Sequence, residues 1–450
     1  MSDAYTPLWP DPAALGPLTD LYQLTMMAGY VAEGMDRAPA VFELFVRRLT
    51  PNRSYLVLAG LEQALGDLLN LRFSPKQADW LRRLPAFRHI EPRWFDALPD
   101  FRFTGDVWAM PEGTVCFPGE TLLRVEAPLA EAQWVETFLL ASLAYPTMAA
   151  SKAARVVEAA RGRPLYDFGA RRGHGPQSGL LCARSAYLAG FAGTSHVEAA
   201  RRLGIPCVGT MAHSWVQSFD DEPSAFAAFA RHFPETTTLL VDTYDTLEGT
   251  RHALSVEPPA RAIRLDSGDL GALAKEARSI LDAAGRPEVK ILASGDLDEW
   301  KIRDLVEQGA PIDSFGVGTE LITVRDAPAL SMVYKLVMLD GVGRVKRAPG
   351  KRTYPLAKQV WRRYDDRGTM LGDLVTAADE QADGEPLLHP LIVAGQWSHE
   401  PPPLDRVREL CRRQRAALPE ALRVLDGTAP YPIAYSDRLE DEAARLGLTP

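Results

Sequence analysis

Cysteine is scarce in this 450-residue chain: the four residues Cys116, Cys182, Cys207 and Cys411 lie too far apart for a CxxC metal pair or a dense disulfide framework. Long apolar runs are missing too. The longest charge-free stretch, Leu203 to Phe219, holds Pro206, His213, Ser214 and Gln217, whereas a membrane-spanning helix needs about 20 mostly apolar residues. Positive charge is not in surplus either: 50 Lys and Arg against 59 Asp and Glu leave −9, which excludes the basic field that polyanion binding usually requires. Nucleic acid is therefore not an expected partner. Met1 to Leu18 lacks a basic stretch followed by an apolar core, so no secretory signal is read there and a cytoplasmic location is expected. What remains, 46% hydrophobic and 24% charged, is the composition of a globular protein of two or three domains at about 150 residues each.

Near the start, Asp20 followed three residues later by Gln23 predicts a capped helix running to about Glu33. Phe42, Leu44 and Val46 alternate with Glu43, Phe45 and Arg47, which predicts a strand, and Tyr55 to Leu71 returns to helical spacing. Residues 1–145 thus read as an α+β domain. An Ala-rich helix from about Pro146 to Arg163 leads into residues 146–335, where short apolar runs alternate with helical stretches. The runs are Pro164–Phe168, Pro206–Thr210, Thr238–Asp242, Ala262–Asp266, Lys290–Ser294 and Ser314–Val317. Such repeats predict a buried parallel sheet, here an irregular or incomplete (β/α) barrel of the α/β class. After strands at Val333–Leu339 and Val342–Lys346, residues 336–450 form a Pro- and Arg-rich region expected to pack on the rest.

The chemically loaded clusters fall at the C-terminal ends of those runs, where barrel active sites are built. Asp167-Phe168-Gly169 mimics a kinase metal-binding triplet, but no HRD loop precedes it and no GxGxxG loop opens the chain. Arg171 and Arg172 could clamp phosphate while Phe168 stacks on a flat ring, or they could be ordinary surface arginines. Ser267-Gly268-Asp269 and Ser294-Gly295-Asp296 read as two copies of one strand-to-helix turn, suited to an anion and equally suited to plain helix capping. Gly316, Gly318 and Thr319 follow a late strand, a common place for a phosphate. Asp242, Asp245, Asp266 and Asp269 are candidates for ribose hydroxyls or Mg²⁺. His213, with Ser214 beside it, could serve as base or as nucleophile toward phosphorus, yet the sequence shows no group to orient it.

Leu18-Thr19-Asp20-Leu21-Tyr22-Gln23-Leu24-Thr25-Met26, Asp167 to Arg172, Gly209-Thr210-Met211-Ala212-His213-Ser214 and Leu265 to Leu270 together resemble the nicotinate phosphoribosyltransferases. The resemblance is colinear from about Pro17 to Lys335, taking in Phe315 to Glu320 and Asp326 to Leu330. It implies a type II phosphoribosyltransferase that joins nicotinate to 5-phosphoribosyl 1-diphosphate, with Mg²⁺ and coupled ATP hydrolysis, as a homodimer with shared active sites. It implies that His213 is phosphorylated by ATP. Phe168 and a partner subunit's Tyr22 would sandwich the pyridine. Arg171 and Arg264 would hold anionic groups, Asp266 the ribose, Thr210 the nicotinate, and Gly295, Gly316, Gly318 and Thr319 the 5′-phosphate. Ser195 stands where nicotinamide enzymes carry Asp, which favours an acid over an amide. Lys346-Arg347-Ala348-Pro349-Gly350-Lys351 and Lys358 depart from the family's Lys-x-Ser-x-Gly-Lys pattern. The alternatives are a nicotinamide or quinolinate phosphoribosyltransferase and, in another class, a non-catalytic phosphosugar-binding protein.

Overall fold

The half-buried alternation around Phe42 and Leu44 becomes the strand Pro39–Val46, which pairs antiparallel with Thr121–Pro128 on one side and Met332–Leu339 on the other. Both faces are covered, so Glu43 is buried, and it takes Lys358 Nζ at 2.8 Å and the Thr121 hydroxyl at 2.9 Å. The architecture is that of a computed structural model describing residues 8, 10–347 and 353–448. Lys351, one of the pattern lysines, lies outside the described residues, whereas Lys358 is committed to Glu43.

The chain divides into two units. The first comprises residues 1–147, 329–422 and 428–450. Its seven-stranded sheet runs Val342–Gly343, Met332–Leu339, Pro39–Val46, Thr121–Pro128, Asp106–Ala109, His389–Val393 and Gln396–Trp397, so C-terminal strands extend both edges of an N-terminal sheet. A four-stranded sheet of Glu385–Pro386, Lys358–Tyr364, Met370–Ala377 and Ile433–Tyr435 completes it. The expected capping box at Asp20 does not form in helix Leu21–Ala32. Tertiary partners take both side chains instead: Asp20 accepts from Thr137 at 2.7 Å and Gln23 donates to Glu136 at 3.0 Å. Tyr55–Leu71 is not one helix but a short strand, Leu56–Val57, then helix Leu61–Leu69. Gly60 makes the corner with φ +91°, packed so closely that a Cβ would meet the Ser142 carbonyl at 2.8 Å.

The Ala-rich helix starts well before Pro146, spanning Glu136–Ala160. Proline removes one N–H donor there, and the helix continues through it. The second unit, residues 148–328 with 423–427, holds the repeated strand-helix pattern. Its strands are β1 (Leu165–Asp167), β2 (Gly193–Thr194), β3 (Thr238–Leu240), β4 (Ala262–Leu265), β5 (Lys290–Ala293) and β6 (Ser314–Val317). All pair in parallel, in the order β2-β1-β6-β5-β4-β3, giving a curled half-barrel. The expected strand Pro206–Thr210 is reduced to a single bridge between Cys207 and Thr194, held by Thr194 N–H to Pro206 O at 3.0 Å and Val208 N–H to Thr194 O at 2.9 Å. Pro206 has no N–H to extend that ladder, and the barrel stays incomplete. No helix among the described residues is long and apolar enough to cross a membrane.

Candidate active site

Because the six strands run parallel, their C-terminal ends share one edge, and each delivers a polar residue to it. β1 ends in Asp167, whose carboxylate accepts from Gly169 N–H and from the Thr194 hydroxyl at the end of β2, both at 2.8 Å. Asp167 is 1% exposed, and burial pushes its pKa up against those two hydrogen bonds. It thereby ties β1 to β2, and the next residue after each, Phe168 and Ser195, lines the same cavity. Phe168 needs a bare neighbour: a Cβ on Gly316 would meet its ring at 2.4 Å.

Arg264, in β4, is the hub. Its Nε donates to Ser294 Oγ at 2.8 Å, Nη1 to Thr210 Oγ1 at 3.0 Å and Nη2 to Asp266 Oδ1 at 2.6 Å, while its guanidinium carbon lies 5.4 Å from the Phe168 ring centroid. Ser294 also donates to Asp266, closing a ring of three. A guanidinium has five N–H donors, so three bonds leave two for a ligand.

Around this hub lie two cavities of ≈ 440 Å³ and ≈ 180 Å³ that share Phe168, Arg171, Arg264 and Asp266. Ser195, Thr210 and His213 line the larger; Arg172, Asp296, Gly295, Gly316, Gly318 and Thr319 line the smaller. The smaller is cationic: three arginines against Asp266 and Asp296 leave a formal +1. Arg171 and Arg172 form no ion pair among the described residues and stand exposed on the turn Ala170–Arg172.

His213 opens the short helix His213–Gln217, and its Nδ1 lies 3.2 Å from Thr243 Oγ1. Thr243, from the loop after β3, is the orienting group that the sequence hides, because thirty residues separate the two. Ser294 is similarly hidden as the clamp on Arg264. The two SGD turns are not equivalent: Asp269 caps helix Leu270–Ala283, but Asp298 rather than Asp296 caps Glu299–Glu307, and Asp296 sits at φ 45°.

Several predicted residues line neither cavity. Ser214 is exposed and lines neither cavity; Tyr22 belongs to the other unit, 49% exposed on helix Leu21–Ala32. Asp245 and Asp269 spend an oxygen each on helix capping. Asp242 accepts from Asp266 N–H at 3.0 Å and Ser267 Oγ at 2.6 Å through Oδ2, leaving Oδ1 buried without a partner. Among the described residues no group of three His, Cys, Asp or Glu converges as a metal cage.

The arrangement can hold a flat ring against Phe168, an anion against free arginines, and a sugar hydroxyl at Asp266. Comparison with known proteins agrees with that chemistry. Residues 18–144 match the nicotinate phosphoribosyltransferase (NAPRTase) N-terminal domain, and residues 164–374 match the nicotinate phosphoribosyltransferase (NAPRTase) family. A nicotinate phosphoribosyltransferase of Mycobacterium tuberculosis is 50% identical over 436 residues, covering 95% of this chain and 93% of that protein. One from Bacillus subtilis is 40% identical over 390 residues, 83% of this chain and 79% of its own length. The crystal structure of human nicotinic acid phosphoribosyltransferase superposes with a TM-score of 0.84 at 29% identity, covering 95% of this chain and 99% of the human one.

Proposed function

Since this chain belongs to the nicotinate phosphoribosyltransferase family, we propose that it transfers the phosphoribosyl group of 5-phosphoribosyl 1-diphosphate to nicotinate. The products are nicotinate mononucleotide and diphosphate, in the salvage route to NAD. The observation that carries the reading is Arg264, fixed by Ser294, Thr210 and Asp266 with two donors to spare over the ring of Phe168.

In this reading nicotinate enters the larger cavity with its ring on Phe168, Ser195 donates to its carboxylate, and Thr210, whose hydroxyl donates to the Met211 carbonyl, contacts it from the wall. The 5′-phosphate occupies the smaller cavity beside Gly295, Gly316, Gly318 and Thr319, and Asp266 accepts from the ribose hydroxyls. The pyridine nitrogen carries no proton at neutral pH, so its lone pair attacks C1 without a general base. The N–C1 bond forms as the C1–O bond to diphosphate breaks, and positive charge passes to the pyridinium. Arg171 and Arg172 lie on the cavity wall as cations for the departing charge, and Arg264, held by three hydrogen bonds, is the preorganised one, whose fixed charge acts most strongly in the transition state.

Mg²⁺ fits a donor set poor in carboxylates, since it takes one or two of them and fills its shell from phosphate oxygens and water. Asp242, with one buried oxygen unpartnered, is the residue suited to hold it. Bound there, the ion would neutralise diphosphate charge. His213 is the acceptor from ATP: with Nδ1–H donating to Thr243, the Nε2 lone pair attacks the γ-phosphorus, ADP leaves, and water later releases inorganic phosphate from the phosphohistidine. Tyr22, half-exposed on its helix, is proposed to reach the active site of a second copy in a homodimer, and the cytoplasm is the proposed compartment.

The test is turnover of labelled 5-phosphoribosyl 1-diphosphate with nicotinate, nicotinamide or quinolinate, each with and without ATP, scoring mononucleotide and ADP together. Nicotinate mononucleotide with accompanying ADP is expected, and Ser195→Asp is expected to shift selectivity toward the amide. Amide preference in the wild type, or product with quinolinate alone, overturns the substrate assignment. Label from [γ-³²P]ATP retained by His213→Ala overturns the phosphohistidine.

A further inference from the structure

The two loops that line the smaller cavity from β5 and β6 are joined from behind by an ion cluster that the chemistry above does not use. Lys152, on helix Glu136–Ala160, has a side chain 0% exposed; it pairs with Glu299 and, at 2.9 Å, with Asp326. Arg155, one turn further on, reaches the other oxygen of Glu299 at 2.8 Å. The Trp300 ring lies 5.1 Å from Lys152 Nζ and 5.3 Å from Arg155 Cζ. Glu299 opens the helix that follows the Ser294–Asp296 turn, and Asp326 comes just after the helix Thr319–Ile322. Each carboxylate is thus the rear anchor of one loop whose front lines the cavity.

Two cations and two carboxylates cancel, and a buried cluster of this kind gains little over apolar packing of the same volume. What it adds is direction, because both carboxylates must sit within reach of one ammonium. The chain between anchor and cavity has little slack: Asp296 and Val324, one in each loop, adopt φ of 45° and 43°, the left-handed region that non-glycine residues resist.

We propose that Lys152 is a positioning residue that sets the separation of the β5 and β6 loops and so the grip of the smaller cavity on the sugar phosphate. This rests on the assignment of that cavity under Proposed function. The experiment measures Kd for ribose 5-phosphate by calorimetry on the full chain, and KM for 5-phosphoribosyl 1-diphosphate and for nicotinate. The proteins compared are wild type, Asp326→Asn and Lys152→Met. Asp326→Asn removes the ion pair between Lys152 and the β6 arm alone, leaves Lys152 paired with Glu299, and keeps the test valid if Lys152→Met does not fold. Expected is a rise of about tenfold or more in Kd for ribose 5-phosphate and in KM for the donor, since small misplacements weaken preorganised sites steeply. KM for nicotinate is expected to stay within about twofold, a split that general loosening of the fold does not give. Unmoved Kd in Asp326→Asn, or a parallel rise for both substrates with a falling Tm, overturns the proposal. A wild type that binds no ribose 5-phosphate overturns the cavity's assignment itself, and the inference falls with it.

Discussion

Arg264 in the half-barrel and Arg362 in the other unit both lie against aromatic rings, Arg264 at 5.4 Å from Phe168 and Arg362 at 5.5 Å from Phe117. Arg362 is 0% exposed and spends every nitrogen inside the fold. Nε and Nη2 go to Asp373, with Nη2 at 2.7 Å, and Nη1 goes to the Val115 carbonyl and Gln414 Oε1, both at 2.8 Å. The fifth donor, on Nη2, faces the buried Glu120 carboxyl at 3.7 Å as an ion pair, not toward any cavity. Arg264 is fixed just as firmly but keeps two donors open to a cavity. The same residue type and the same kind of ring contact therefore separate by donor accounting: a closed set holds a fold together, and an open set awaits a ligand.

The sharpest way to break this distinction is to remove each arginine. Arg362→Leu leaves Asp373 and Glu120 buried without their cation, and a loss of about 3–5 kcal/mol in urea unfolding is expected. Arg264→Lys keeps a charge but not the fork, so kcat/KM is expected to fall by about 10²–10³-fold while Tm moves little. If the two variants exchanged these effects, donor accounting would be the wrong criterion. A smaller effect belongs to Thr243→Val, which removes one neutral hydrogen bond from His213; a loss of about 0.5–1.5 kcal/mol, or two- to tenfold, is expected in the proposed phosphorylation from ATP. The smallest concerns Asp167. Burial raises its pKa from 3.8, so its folded state favours the proton, and its contribution to stability is present below the ordinary Asp range and lost as pH rises through the folded value. Asp167→Asn has no such titrating group, so its Tm is expected to gain on the wild type as pH rises from about 4 toward neutrality in a melting series.

Much of the half-barrel is legible in sequence because a parallel strand buried on both faces reads as an apolar run, with its first polar residue marking the site edge. Ile291 to Ser294 and Phe315 to Thr319 follow that rule, whereas Arg264 breaks it as a polar residue inside β4. Where the reading stops, long-range partners decide. Asp20 and Gln23 have the spacing of a cap, yet Thr137 and Glu136 claim them. Gly193–Thr194 is too short to register as a strand, and Pro206–Thr210, which does register, lacks a donor at its first residue. The C-terminal strands alternate too weakly to reveal that they extend an N-terminal sheet. Thr243 and Ser294 carry no local signal at all, since each acts on a residue thirty positions away.

That single bridge at Thr194 has a kinetic meaning. The wall of the larger cavity that carries Thr210 is tied to the sheet by two backbone hydrogen bonds and to Arg264 by one more at Thr210, whereas β4 and β5 share a four-residue ladder. Amide protons around Val208 need only a local opening to exchange with solvent, while those in the middle of β4 and β5 must wait for a larger unit of the sheet to come apart. Local opening of that wall is therefore far cheaper than unfolding and leaves the clamp on Arg264 closed at Ser294 and Asp266.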